Sequence, residues 1–205
     1  VYTLMAVLQA IGYGFGMGAG SLISRCLGAR DQDSAARYAA SAFFATMVVG
    51  AAAGWGGLCF LRPILKFLRC TDTMMTYAVD YAFYILLAAP ITCASFVLNN
   101  ILRAEGESQV AMWGMGIGGL LNVLLDPLLI FGMNMGTAGA ALATIISQTV
   151  SFLILLSVFL CGKSIVPIRL GNISRRLKDY GMIIATGFPT VCRQGLGSLA
   201  AALLN

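Results

Sequence analysis

Apolar residues fall in six long stretches, at about 1–24, 38–61, 74–102, 108–133, 137–161 and from 180 onward, with the polar residues gathered into the segments between them. A helix rises about 1.5 Å per residue, so ~20 apolar residues cross a hydrocarbon core of ~30 Å. Each stretch is therefore predicted to be a membrane-spanning helix. Asp33 or Ser34 is placed to cap the second, because a side-chain oxygen there accepts from an orphan backbone N–H. The third carries Asp80 near its start, with Tyr77, Tyr81 and Tyr84 positioned for an interfacial aromatic belt. Residues 163–179 are polar with interspersed Ile165, Ile168, Leu170, Ile173 and Leu177, a pattern read as a linker with a partly amphipathic helix on the membrane surface.

Glycine adds a second pattern inside the first stretch. The run Gly12-Tyr-Gly-Phe-Gly-Met-Gly-Ala-Gly20 puts Gly12, Gly16 and Gly20 on one helix face and Gly14 and Gly18 on another. Small-xxx-small spacing lets helices approach closely. A dinucleotide-binding reading fails, because no strand precedes the glycines and no acid follows at the required distance.

Composition removes the soluble alternatives. Of 205 residues 59% are apolar and only 10% charged, with a mean hydropathy of +0.87, whereas soluble domains carry about 25% charged residues. The net charge of +5 comes from basic residues between the spans, so it reads as a topology signal and not as a nucleic-acid surface. Nine of them (Arg25, Arg30, Arg37, Arg103, Lys163, Arg169, Arg175, Arg176 and Lys178) follow spans one, three and five, against Arg62, Lys66 and Arg69 on the other side. The positive-inside rule puts the larger set in the cytoplasm and the chain in a cell membrane as a multi-pass protein. The six cysteines are scattered without a CxxC pair and there is no histidine, so neither a disulfide framework nor a transition-metal site is expected. The first span is too long and lacks the basic start of a cleavable signal peptide. With no initial Met and an end inside an apolar run, the chain reads as a piece of a longer protein.

One stretch is chemically out of place. Asn122-Val-Leu-Leu-Asp-Pro127 sets a carboxylate, an amide and a proline inside the fourth span, and Asp126 is the only charged residue between Glu107 and Lys163. An Asp at mid-helix costs about 2.5–3.5 kcal/mol on insertion scales, so it faces protein or a water-filled cavity. Pro127 has no N–H, which leaves the carbonyl of Val123 without its helical partner and predicts a kink. Asn122 and Asp126 are four apart and share a face. A polar face beside a freed carbonyl suits a small cation. The fifth span adds Thr144, Ser147 and Gln148.

Taken together, Gly18-Ala-Gly-Ser-Leu-Ile-Ser-Arg-Cys-Leu-Gly-Ala29, Asn99-Asn-Ile-Leu-Arg-Ala-Glu-Gly106, Asn122–Pro127 and Gly136-Thr-Ala-Gly-Ala-Ala-Leu-Ala-Thr144 resemble, in order, the multidrug and toxic compound extrusion (MATE) transporters, nearest to their bacterial drug-export branch. Gly187-Phe-Pro-Thr-Val-Cys-Arg-Gln194 resembles the opening of that family's second half. The resemblance implies an all-α polytopic membrane bundle. Residues 1–162 would be an amino-terminal lobe lacking its first helix, 163–179 a cytoplasmic inter-lobe linker, and 180–205 the first helix of the second lobe, so that the chain covers helices two to seven. It further implies an ion-coupled antiporter, not an enzyme, exporting organic and cationic compounds, with H⁺ or Na⁺ as coupling ion and no other cofactor. Its partners would be the small-molecule substrate, the lipid bilayer and the remaining helices of the transporter. On the family's pattern Asn122, Asp126 and Thr144 would bind the coupling cation, with Gln148 and Pro127 beside them. A carboxylate withdrawn from water favours its protonated form, while Na⁺ wants several oxygens, and the residues leave both open. A lipid or polysaccharide-precursor flippase of the same superfamily is the alternative. It would line its cavity with cationic residues, whereas the deep charge here is acidic.

Overall fold

In a computed structural model the described residues are 2–61, 63, 72–132, 136–162, 164–168, 170–174 and 176–204. Within these residues the side chains of 2–4, 72–77, 80, 170, 177 and 194–204 are not characterised. Tyr77, Asp80 and Gln194 are among those, and Arg62, Lys66, Arg69, Lys163, Arg169 and Arg175 of the topology argument also lie outside the described residues.

Among the described residues seven α-helices follow one another: α1 (Tyr2–Gly28), α2 (Gln32–Cys59), α3 (Asp72–Leu87), α4 (Ala89–Ala104), α5 (Ser108–Pro127), α6 (Gly136–Leu160) and α7 (Leu177–Leu204). A π-helical segment, Leu128–Gly132, continues α5, and a single 3₁₀ turn, Leu170–Asn172, lies between α6 and α7. The chain is an all-α membrane bundle. Met5–Gly28, Gln32–Cys59, Ser108–Gly132 and Gly136–Leu160 are each long and apolar enough to cross a membrane.

The sixth predicted span, in α7, is not among these, and the third is broken. It is not one helix over 74–102 but two, α3 and α4, with a 54° bend between Tyr81–Leu87 and Ala89–Ala104. Pro90 sits in the first turn of α4, where its missing N–H costs nothing, whereas an unbroken helix would lose a hydrogen bond there. The cap of α2 also differs. Asp31, not Asp33 or Ser34, accepts from the backbone N–H of Ser34 at 3.0 Å, because the helix begins at Gln32 and the N-cap oxygen reaches the third residue on. That hydrogen bond from Ser34 holds the exposed Asp31 carboxyl below its ordinary range. Among its described residues, the segment between α6 and α7 forms the 3₁₀ turn and no amphipathic helix. It is fastened to the bundle, with Val166 and Ser174 buried; the Ser174 N–H donates to Ser41 Oγ at 2.9 Å.

α4 is the centre of the bundle. Cys93 through Leu102 are all buried, and the helix packs against α1, α2, α5 and α6. The core gathers Ile23 of α1, Phe43 of α2, Val97, Leu98 and Ile101 of α4, Leu155 of α6, and Ile183 of α7. The two glycine faces of α1 serve two different neighbours. A Cβ on Gly12 or Gly16 would meet Phe96 at 3.0 Å or Asn100 at 2.7 Å on α4. On the other face, a Cβ on Gly18 would run into the Ile183 carbonyl of α7, and one on Gly187 into the Gly14 carbonyl. Backbone lies against backbone there, which only residues without a Cβ allow.

Candidate functional site

α5 and α6 are held together by absent side chains. A Cβ on Gly118 would stand 2.8 Å from the Ser151 Cβ and 3.0 Å from the Ser147 carbonyl oxygen, and one on Gly114 would overlap the Leu155 side chain. The close approach lets Ser151 Oγ donate to the Gly114 carbonyl at 2.8 Å across the helices. These antiparallel pairs set the register. One turn beyond Gly118, α5 presents Asn122, and one turn further Asp126, while α6 runs back from Ser147 to Thr144 and Ala140.

Asn122, Asp126, Thr144, Ser147, Gln148 and Ser151 line one cavity of about 360 Å³. Met5 of α1 and Tyr81 of α3 close it from the neighbouring helices, and Met115, Gly118 and Gly119 of α5 and Ala140 of α6 complete its wall. A smaller adjoining space of about 20 Å³ shares Met5, Thr144 and Gln148 and brings in Gln9 and Thr92. Cavities of this size between helices of a bundle, apolar with a few convergent polar groups, are the usual place for small ligands.

Every predicted site residue except Pro127 meets at this cavity. Asn122 Nδ2 lies 3.5 Å from Asp126 Oδ1, a loose contact that leaves carboxylate acceptor capacity free. Thr144 Oγ1 donates to the Ala140 carbonyl at 2.9 Å, so its lone pairs remain available. Gln148 is half-buried on the wall. Pro127 is exposed and does not line the space. It acts on the backbone instead: regular α-helix ends at Pro127 and the π segment begins with the next residue, the register change that a missing i→i−4 bond permits. Where a kink was expected, the break takes this form. Among the described residues no three His, Cys, Asp or Glu side chains converge, so the cavity offers oxygen donors and a single carboxylate.

The cavity also takes in Met5 and Ser151, which the sequence does not mark as site residues, and Ser147, which it marks only as a polar residue of the fifth span. Tyr81, expected in an aromatic belt, lines the cavity instead. A signal for the serines existed: Thr144, Ser147, Gln148 and Ser151 recur at three and four residues and so form a polar stripe on an otherwise apolar helix.

The family model for MatE matches residues 1–128. The chain is 28% identical over 202 residues to the Multidrug export protein MepA of Staphylococcus aureus (strain MRSA252), covering 98% of this chain and 45% of that protein. It is 34% identical over 156 residues to the MepA of Staphylococcus haemolyticus (strain JCSC1435), covering 76% of this chain and 34% of that protein. Among solved structures, a MATE protein in complex with MaD3S superposes with a TM-score of 0.94 at 29% identity, over 100% of this chain and 46% of that one. The chain thus spans about half or less of the length of the relatives it matches. With its family model spread over the first five helices and its helices superposed along their whole course, the chain belongs to the MatE family.

Proposed function

We propose that the chain is the ion-binding part of an exporter that drives small organic, cationic compounds out across the cytoplasmic membrane in exchange for H⁺ or Na⁺. The observation that carries this reading is the convergence of Asp126, Asn122 and Thr144 on one cavity in a MatE chain. On this reading residues 1–162 form one lobe, 163–179 a cytoplasmic linker and 180–205 the opening helix of a second lobe, with further helices, the bilayer and the substrate as partners. The relatives named above as multidrug export proteins support export as the activity. Membership of the MatE family supports transport, in place of enzymatic turnover, as the role of such a cavity.

The chemistry is an exchange of charge at Asp126. An ionised Asp126 beside Asn122 and Thr144 attracts a cation from the outer side, and neutralising that carboxylate removes the hold on a cationic substrate elsewhere in the cavity of the whole transporter. Bending at the π segment after Pro127 gives α5 a place to yield as the occupancy changes. The flippase reading is disfavoured by the sign of the cavity, whose charged residue is acidic.

The test is Asp126→Asn in the complete gene product, reconstituted in vesicles. Drug-stimulated H⁺ or Na⁺ flux is expected to vanish. Ion-driven efflux equal to that of the unmodified protein overturns the reading, and lipid scrambling in the same vesicles would favour a flippase.

A further inference from the structure

Several serines and threonines on the helices of this chain send their hydroxyl protons back one turn. Ser24 donates to Gly20, Thr46 to Ala42, Ser95 to Ile91, Thr144 to Ala140 and Thr149 to Ile145, all between 2.7 and 2.9 Å. Ser151 instead donates across to Gly114. Ser147 does neither. It is 3% exposed, and among the described residues its Oγ is the one buried side-chain oxygen or nitrogen without a hydrogen-bond partner. Buried hydroxyls are rarely left so, because each has lost its water and gained nothing in return.

The place of this oxygen gives it a use. Ser147 lies on the cavity wall with Asn122, Asp126, Thr144 and Gln148. It is one helical turn from Thr144 on the same face, opposite the level of Asn122 in the α5–α6 register. A single χ1 hop between staggered wells re-aims its Oγ without moving the backbone. A proton on Asp126 needs one carboxylate oxygen and makes no call on a neutral hydroxyl a turn away. A hard cation gives up its hydration shell only to several oxygens, and the wall offers the Asp126 carboxylate, the amide carbonyls of Asn122 and Gln148, and the hydroxyls of Tyr81, Thr144, Ser147 and Ser151.

We propose that Ser147 is a cation ligand whose hydroxyl oxygen joins Asp126, Asn122 and Thr144 around Na⁺. The proposal rests on the reading of this cavity as the ion site. It also accounts for an unpaired oxygen that the fold would otherwise have no reason to keep.

The experiment measures ²²Na⁺ binding to the purified complete gene product in detergent for the unmodified protein, Ser147→Ala, Ser147→Thr and Asp126→Asn. Ser147→Ala is expected to weaken Na⁺ binding about tenfold, the scale of one neutral oxygen contact to a charge, and Ser147→Thr to restore it. Because Ser147→Ala removes no hydrogen bond, its melting temperature without Na⁺ should stay level or rise, which separates a ligand from a structural residue. Na⁺ binding unchanged in Ser147→Ala but lost in Asp126→Asn overturns the role of Ser147 and leaves the ion site standing. Binding unchanged in Asp126→Asn overturns the site and the proposal with it, and an unmodified protein that binds no Na⁺ overturns the proposal.

Discussion

On the function proposed above, Asp126 and Asn122 contribute unequally to one helix face. The carboxylate supplies the charge, and the amide 3.5 Å away adds a neutral oxygen and a donor. Truncating the amide leaves the charge in place but removes a neutral oxygen and a donor, so Asn122→Ala should impair ion-driven efflux less than Asp126→Asn. A reduction of about 10-fold in apparent ion affinity is expected, the scale of a single hydrogen bond to a charged group. Half-maximal ion concentration for drug efflux in vesicles measures it, and an unchanged value would remove Asn122 from the site. This face was legible in the sequence because the chemistry is conspicuous there: one carboxylate in 55 residues without another charge, four positions from an amide. Ser147 was not, since a serine in an apolar helix ordinarily satisfies itself against its own backbone, and only the three-dimensional packing reveals that this one does not.

Helix packing followed the glycines as closely as any feature of the chain. The period of 3.6 assigned Gly12, Gly16 and Gly20 to one face of α1 and Gly14 and Gly18 to another, and α4 and α7 occupy those two faces. Sequence could not say how close each approach would be, and the distances separate positions that look equivalent. A Cβ on Gly20 finds nothing nearer than the Asn100 carbonyl oxygen at 3.4 Å, an ordinary contact, whereas a Cβ on Gly18 collides with the rigid carbonyl of Ile183. Gly20→Ala should therefore be neutral or stabilise by up to about 1 kcal/mol through helix propensity. Gly18→Ala should destabilise by about 1–3 kcal/mol because α1 and α7 must separate. Thermal unfolding of the two variants in detergent decides it, and equal melting temperatures would contradict the packing. The break between α3 and α4 was hidden for a different reason. Hydropathy runs unbroken through Leu86-Leu-Ala-Ala-Pro90, and an apolar run long enough to span outweighs a proline in such a reading, although the proline is what starts the new helix.

How the α6–α7 connection holds on to the rest of the chain bears on every motion of α7. Glu105, in the turn between α4 and α5, accepts from Ser164 Oγ at 2.7 and 2.9 Å and from the Ile165 N–H at 3.1 Å. At the far end Ser41 of α2 accepts from the Ser174 N–H, Ser174 Oγ donates to Asp179, and Tyr180 donates to the Ser174 carbonyl. A connection tied at both ends, with Val166 buried between, joins the start of α7 to α2 and to the α4–α5 turn by direct contacts. Glu105 also makes the first tie sensitive to pH. Burial pushes its carboxyl above the ordinary 4.5, more than the hydrogen bonds from Ser164 and Ile165 draw it down. Between 4.5 and that raised value the folded chain holds a proton that the unfolded chain has released, so stability falls as pH rises through this window and is level above it. Glu105→Gln keeps an acceptor for Ser164 and carries no titrating proton. The melting temperature of the unmodified protein should therefore decline relative to Glu105→Gln as pH is raised from about 4.5, the reference value for an unburied carboxyl. The two should run parallel at higher pH. Parallel curves across the whole range would mean that Glu105 is as well solvated as in the unfolded chain, and that the connection is not seated on it.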